Sequence, residues 1–451
     1  MPHELDDLPQ RLSGIMGGEQ VREGTAASGF SVDGAEPSLV VHPGSQEEVE
    51  AAVVACGKAG AVVVPWGGGT AIGLGNPPSR LDVVVCLDRL ARIVEFDEAN
   101  LNVSAEAGVR LADLQAVLAG KHEFLPLDPP QADRVTVGGL VATNSSGPSR
   151  LHYGTARDWV LGLRVVLPYG ERIRCGGKVV KNVSGYDMNK LFIGSLGTLG
   201  IVTEATFKLL PVPAMRVTIV GLFRELAQAA AVVACTLESQ LLPEALEALD
   251  SQALGAVASA IGLTDPSGYG LAIAVAGSRE TVERQVRDFT RLLAESQATA
   301  TTTLGGAQGA AAWQAIGDVQ ARMGVTSEER VVVKIAVPIG KTLELLSSAE
   351  RLARHNGWRG AVTAHAGSGI VRAGYLVGGA TLESLRDGLR ALRGQAESAE
   401  GSLVVETAPA ALKCSLDAWG KPPEAAEVMR RLKVEFDPRG LVSPGRFLAG
   451  I

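Results

Sequence analysis

Residues 61–78 read AVVVPWGGGTAIGLGNPP. A β-branched apolar run reaches Pro65 and Trp66, passes into Gly67, Gly68, Gly69 and Thr70, continues through Gly73 and Gly75, and stops at Pro77 and Pro78. Glycine loses more conformational freedom on ordering than any other residue, so a cluster this dense needs a reason. One reason is a tight turn. Another is an anion large enough to be met by several backbone N–H groups at once. The loop is not a nucleoside-triphosphate loop, because no Gly-Lys-Ser/Thr follows it. Nor is it a dinucleotide-binding turn: the glycine spacing differs, and the next segment, NPPSRLDVVV (76–85), reads as a turn and a strand instead of a helix. A second glycine stretch, GSLGTLGIVTE (194–204), follows a helix-like segment and leads into a strand, which is the opposite polarity.

Outward from the loop, short strands dominate. SLVVHP (38–43), AVVVPW (61–66) and LDVVVCLDRL (81–90) read as strands, and IVEFDEANLNVSAEAG (93–108) and VLGLRVVLPYGERIRC (160–175) as further strands or hairpins. SQEEVEAAVVACGKAG (45–60) predicts a helix capped by Ser45, with Glu48 in the capping-box position and Gly57 and Gly60 at its end. RLADLQAVLAGK (110–121) predicts an amphipathic helix. This is an α+β pattern and not a regular alternation of parallel strands and helices. From Val212 to Gly420 the chain becomes alanine-rich. Helical patterns such as ERQVRDFTRLLAES (283–296) and TLELLSSAERLARHNG (342–357) alternate with strands such as YGLAIAVAG (269–277) and ERVVVKIAVPIG (329–340). The order predicts an antiparallel sheet with helices on one face. LGGAQGAAAWQAIGD (304–318) is of low complexity but is expected to be ordered around Trp313. The remaining parts are an N-terminal lead, 1–36, and a tail, 421–451.

Composition narrows the function classes. The chain has 451 residues, 46% hydrophobic and 20% charged, enough for two or three domains with a sizeable core. A net charge of −7 argues against nucleic acid or an anionic membrane as a bulk partner. No apolar run approaches the roughly 18 residues of a membrane span, and MPHELDDLPQRL lacks the basic and apolar regions of a signal peptide. The five cysteines, Cys56, Cys86, Cys175, Cys235 and Cys414, are far apart and form neither an iron–sulfur nor a zinc motif. An odd, scattered set is what a reducing cytoplasm predicts.

A third motif, RVTVGGLVATNSSGPSRLHYGTARDWVLGLRVVLPYGE (134–171), joins the other two. With PWGGGT, TVGGLVATNSSG…HYGTARD, GSLGTLGIVTEATFKLLP and the tail FDPRGLVSPGRF in that order, the sequence resembles the FAD-linked oxidases, flavoproteins with a PCMH-type FAD-binding domain. GGKVVKNVSGYDMNKLFIGSLGTLGIVTE (176–204) is most similar to the smaller FAD subunit of bacterial glycolate oxidase complexes. The resemblance implies a two-part α+β FAD-binding domain over 37–211, a cap domain over 212–420, and a tail over 421–451 returning to the FAD domain. It implies FAD as cofactor, with the pyrophosphate on the backbone of Gly67, Gly68 and Gly69 and the hydroxyl of Thr70. Pro65, Trp66, Gly73 and Pro129 are expected beside it. Val137, Gly138, Gly139, Thr143, Asn144, Ser145, Gly147, Tyr153 and Gly154 are expected near the isoalloxazine ring. Gly200, Ile201, Val202 and Arg446 are expected to complete the cofactor set. No histidine lies between residues 61 and 80, so FAD is expected to be non-covalent.

The resemblance also implies 2-hydroxy acids such as glycolate or D-lactate as substrates of the complex, with a second, catalytic FAD subunit and an iron–sulfur subunit as partners. Catalytic members of the 2-hydroxy acid group carry HxGDGNxH and a later Glu-His-Gly, which hold a divalent metal. Here the first reads HAGSGIVR (365–372): His365 stays, but Ser368, Ile370 and Arg372 replace the Asp, the Asn and the second His. The later motif reads VVETAP, with Glu406 followed by Thr407 and Ala408. One imidazole and one carboxylate make a poor metal site, so no catalytic metal is expected. Lys334, His365 and Arg372 are the catalytic candidates, Arg372 as a clamp for a substrate carboxylate and Lys334 as a flavin-facing cation. Plainer roles remain open for each: an outward strand lysine, a hydrogen-bonded strand histidine, a surface arginine. Two functions therefore stand at this point. One is an FAD-holding electron-transfer or assembly subunit beside a catalytic flavin subunit; the other is a stand-alone 2-hydroxy acid dehydrogenase.

Overall fold

In the computed structural model, which describes residues 6–178, 186–264, 266–323 and 330–451, local signals act where the sequence places them. Ser45 Oγ accepts the Glu48 N–H at 3.2 Å and so caps the helix Gln46–Ala59. The Glu48 carboxylate turns back to accept the Gly44 N–H at 2.6 Å. Gly60, at φ 67°, ends the helix, while Gly57 lies inside it. Residues 181–185 of the KNVSGYD motif fall outside the described residues.

The chain divides into two compact units. The first comprises 1–145, 155–211 and 421–451. One of its sheets has the strand order Val21–Glu23, Leu39–Val41, Val83–Cys86, Val63–Trp66, with Val83–Cys86 parallel to both 39–41 and 63–66. The other is antiparallel, in the order Ile93–Asp97, Asn102–Glu106, Ile201–Lys208, Val160–Val166, Arg172–Gly176. The N-terminal lead is no separate piece: Leu8, Leu12 and Met16 of the helix Leu8–Met16 pack into the same core as Val49, Val53 and Val63.

The tail is held by a buried ion pair. Lys433 Nζ donates to Asp437 Oδ2 at 2.6 Å and to the carbonyls of Thr198 and Val442, both at 2.8 Å. Asp437 also accepts the N–H groups of Leu441 and Val442, each at 2.9 Å. The chain then runs beside the strand Val63–Trp66, with Val63 N–H on Leu441 O and Ser443 N–H on Val63 O. Breaking a buried pair by removing one partner costs about 3–5 kcal/mol. Asp437→Ala is therefore expected to lower the stability of the first unit by that amount in urea titration. The double replacement Lys433→Met with Asp437→Leu should recover little of the loss, because the N–H groups of Leu441 and Val442 and the carbonyls of Thr198 and Val442 would lose these partners.

The second unit comprises 146–154 and 212–420. Its eight-stranded sheet has the order Ala300–Gly305, Met215–Phe223, Tyr269–Gly277, Ala245–Leu249, Arg359–His365, Ile370–Leu376, Arg330–Ala336, Ser402–Thr407. All its strand pairs are antiparallel. Alternation puts Ile219, Leu246, Ile273, Val333, Val371 and Leu403 on one face, against the helices Leu226–Glu238, Arg279–Glu295, Thr342–Asn356 and Leu382–Ser398. The opposite face is not bare, which corrects the expectation of helices on one side only. There the helices Ser251–Val257 and Gly306–Gly317 cover Val220, Leu249, Ala272 and Ala274. The second of these is the low-complexity stretch, anchored by Trp313 Nε1 donating to Thr218 Oγ1 at 2.8 Å. Residues 146–154 also depart from the linear division, because Leu151 packs against the second unit's core. Among the described residues, no helix is long and apolar enough to cross a membrane.

Candidate functional site

In the first unit the glycine loop leaves the end of the strand Val63–Trp66. Gly68 lies so close to the 131–136 turn that a Cβ built on it would sit 1.9 Å from Arg134 O. Among the described residues, the N–H groups of Gly67, Gly68, Gly69, Thr70 and Ala71 donate to no protein acceptor. Five consecutive unpaired donors on one loop suit a polyanion such as a pyrophosphate.

The neighbouring segments converge on this loop. Thr136 caps the helix Val137–Thr143 by accepting Gly139 N–H at 3.3 Å, and Gly138 N–H reaches Ala107 O at 2.8 Å. Only glycine fits at 138, where a Cβ would lie 2.7 Å from Ala107 Cβ. Thr143 Oγ1 donates to Gly139 O. Asn144 ends the helix at φ 49° and accepts Arg157 N–H on Oδ1 at 3.3 Å. Gly194 and Leu196 donate to Val141 O and Ala142 O, which docks the second glycine stretch onto the same helix. Several expected cofactor residues take other roles. Ile201 and Val202 bury their side chains in two hydrophobic cores, so only their backbone can face a ligand. Val137 and Pro129 are buried, and Trp66 packs edge-on against Phe30 at 5.1 Å. Arg446 Nη2 donates to Ile72 O at 2.5 Å and Leu74 O at 2.8 Å, and Asn76 N–H returns to Arg446 O. Arg446 thus acts as a clamp that holds the glycine loop. Gly147, Tyr153 and Gly154 fold with the second unit, where Tyr153 stacks edge-on with His152 at 4.7 Å.

The second unit gathers the other candidates on one polar strip of its sheet. His365 lies opposite Glu247, and Arg372 lies opposite both Lys334 and Thr363. His365 Nδ1 is 2.5 Å from Glu247 Oε2, and both residues are buried. Arg372 Nη2 donates to Glu406 Oε2 at 2.6 Å. Glu406 is the extra residue of a β-bulge, because Val332 and Val333 pair with Thr407 and Val405. The Lys334 side chain makes no hydrogen bond or ion pair among the described residues. Desolvation pulls its ammonium below the usual lysine range; Glu406 opposes this shift, while Arg372 and Arg150 add to it. Sequence reading missed Glu247 and Arg150. Glu247 carried one signal, an acid flanked by apolar residues in the strand Ala245–Leu249.

The strip is a poor seat for a divalent metal: with Nδ1 on Glu247, His365 offers Nε2 as a single imidazole ligand, and the guanidinium on Glu406 would repel a dication. Another group with metal-ligand atoms close together among the described residues is His42, Cys86 and Asp88, in the first unit. Its own hydrogen bonding accounts for it: His42 Nδ1 is 2.9 Å from Asp88 Oδ1, and burial pushes the Cys86 thiol up to about 12.

Residues 37–176 match the FAD binding domain family, and residues 212–447 match the C-terminal domain of the FAD linked oxidases. The chain is 29% identical over 419 residues to glycolate oxidase subunit GlcD of Bacillus subtilis, covering 92% of this chain and 89% of that protein. It is 31% identical over 418 residues to a D-lactate dehydrogenase of Archaeoglobus fulgidus, covering 91% of each. A solved alkyldihydroxyacetonephosphate synthase shares the fold, with a TM-score of 0.74 and 20% identity over 98% of this chain and 86% of that one. With the unpaired donors of the glycine loop and both family matches in place, the chain belongs to the FAD-linked oxidases and is an FAD-dependent oxidoreductase.

Proposed function

We propose that this chain is the FAD-holding, electron-transferring subunit of a 2-hydroxy acid dehydrogenase complex, assembled beside a catalytic flavin subunit and an iron–sulfur subunit. FAD, when bound, supplies the acceptor for the hydride of a 2-hydroxy acid. Similarity to a glycolate oxidase subunit and to a D-lactate dehydrogenase supports the substrate class. One observation carries the subunit reading: Arg372 occupies Glu406 at 2.6 Å, so this carboxylate is not open to a metal that would polarise a substrate hydroxyl. A second reading, stand-alone catalysis, draws on the buried Glu247–His365 pair. With its Nδ1–H on Glu247, His365 would keep Nε2 as an acceptor for a hydroxyl proton. The test is co-expression with a catalytic flavin subunit and an iron–sulfur subunit. The chain should elute with both in one complex of fixed stoichiometry; elution apart from them, as an active species on its own, would favour the second reading.

A further inference from the structure

Lys334 and Arg372 stand directly opposite each other on adjacent strands. Like charges in that relation repel, and an ammonium out of water is costly unless it is paired. A protein normally answers with carboxylates, yet only one is supplied here. Glu406 hydrogen-bonds Arg372 alone, while Glu247 is engaged with His365. Arg150 adds a third cation to the field at Lys334. The strip therefore holds more positive than negative charge, and two of its donors are unused. One is the Lys334 ammonium; the other is the buried Arg372 Nε, which has no hydrogen-bond partner.

We propose that Arg372, seated on Glu406, is a resident cation at the motif position where the resemblance expects a metal-ligating histidine, and that with Lys334 it forms a metal-free binding site for a small monocarboxylate. The identification of that carboxylate as a 2-oxo or 2-hydroxy acid rests on the function proposed above; the anion site itself does not. Glu406 anchors Arg372 through Nη2, which fixes the guanidinium and leaves its Nε–H unused. A carboxylate bridging that N–H and Lys334 would supply the missing anion and relieve the cross-strand repulsion. The same ion pair makes the site indifferent to chelators, because a guanidinium stays charged and cannot be stripped.

The test is calorimetric titration of the FAD-loaded chain after exhaustive dialysis against EDTA, with sodium pyruvate and sodium propionate as separate probes. Binding is expected without added metal, and Lys334→Met should lose roughly ten- to hundredfold in affinity, the worth of one charge-assisted hydrogen bond. Lys334→Arg should retain most of it. Unchanged flavin content and melting temperature identify the Met variant as folded. Pyruvate binding tighter than propionate supports both the site and the substrate class. Equal binding of the two supports the metal-free site and withdraws the 2-hydroxy acid reading. Binding that appears only after zinc or manganese is restored, or that survives Lys334→Met unchanged, overturns the proposal.

Discussion

Mixed anaerobically with glycolate, D-lactate or L-lactate, the isolated FAD-loaded chain should leave its flavin absorbance unchanged over seconds, although dithionite bleaches it fully. Bleaching should follow once the partner subunits are added. The cause is electrostatic. In a metal-assisted reaction the ion polarises the substrate oxygen and contributes several kcal/mol of charge stabilisation in the transition state. Here the charge of Arg372 is largely answered by Glu406 at 2.6 Å. A deficit of about 4 kcal/mol is about a thousandfold in rate. Electron transfer makes no such demand, since it needs only a held flavin near the next centre. Bleaching of the isolated chain at rates typical of enzymes, roughly 10 per second, would establish it as the catalyst and make the Glu247–His365 pair the group to mutate next.

Gly68→Ala should yield a colourless protein. The added Cβ would lie 1.9 Å from Arg134 O, a backbone atom that cannot swing aside like a side-chain tip. Loop and turn must separate, and the unpaired N–H groups of Gly67–Ala71 lose their shared direction. Hydrogen bonds to a charged partner contribute about 1.5–3 kcal/mol each. Losing two therefore costs roughly a hundredfold or more in FAD affinity. In the parent chain the flavin should be released by acid or heat, as befits a loop with no histidine between residues 61 and 80. The measurement is flavin per chain after gel filtration, with circular dichroism to establish that the variant is folded. Full flavin content in Gly68→Ala would remove the pyrophosphate from this loop. Thr70→Ala should keep most of its flavin, because it deletes one hydroxyl and moves no backbone.

Much of the cofactor half was legible in the residues because its chemistry is local. PWGGGT, the 134–154 stretch and GSLGTLG are backbone devices, and a backbone device shows as glycine, threonine and asparagine at fixed short spacing. The helix at 46–59 was legible for the same reason, its cap being three residues from its partner. Two features lie where local pattern has no say. The sheet face that carries the strip acquired helices at 251–257 and 306–317, because apolar residues alternate along a strand without stating what covers each side. Arg446, expected beside the cofactor, also clamps carbonyls at Ile72 and Leu74, more than 370 positions away in the chain.

The loss of the metal motif was likewise visible in HAGSGIVR and VVETAP as residue replacements. What replaces it was not. Glu247 meets His365 across 118 positions, and Arg372 reaches Glu406 past an intervening strand, through a bulge that turns on one unpaired residue. Strand order and register set both meetings, and a shift of one residue would send each side chain to the opposite face. The sequence by itself determined the cofactor loop, the capped helices and the erosion of the metal ligands, since each is written in neighbouring residues. Only the tertiary structure decided which carboxylate each cation receives and that Lys334 receives none, because those pairings come from strands that find each other across 34 to 118 positions.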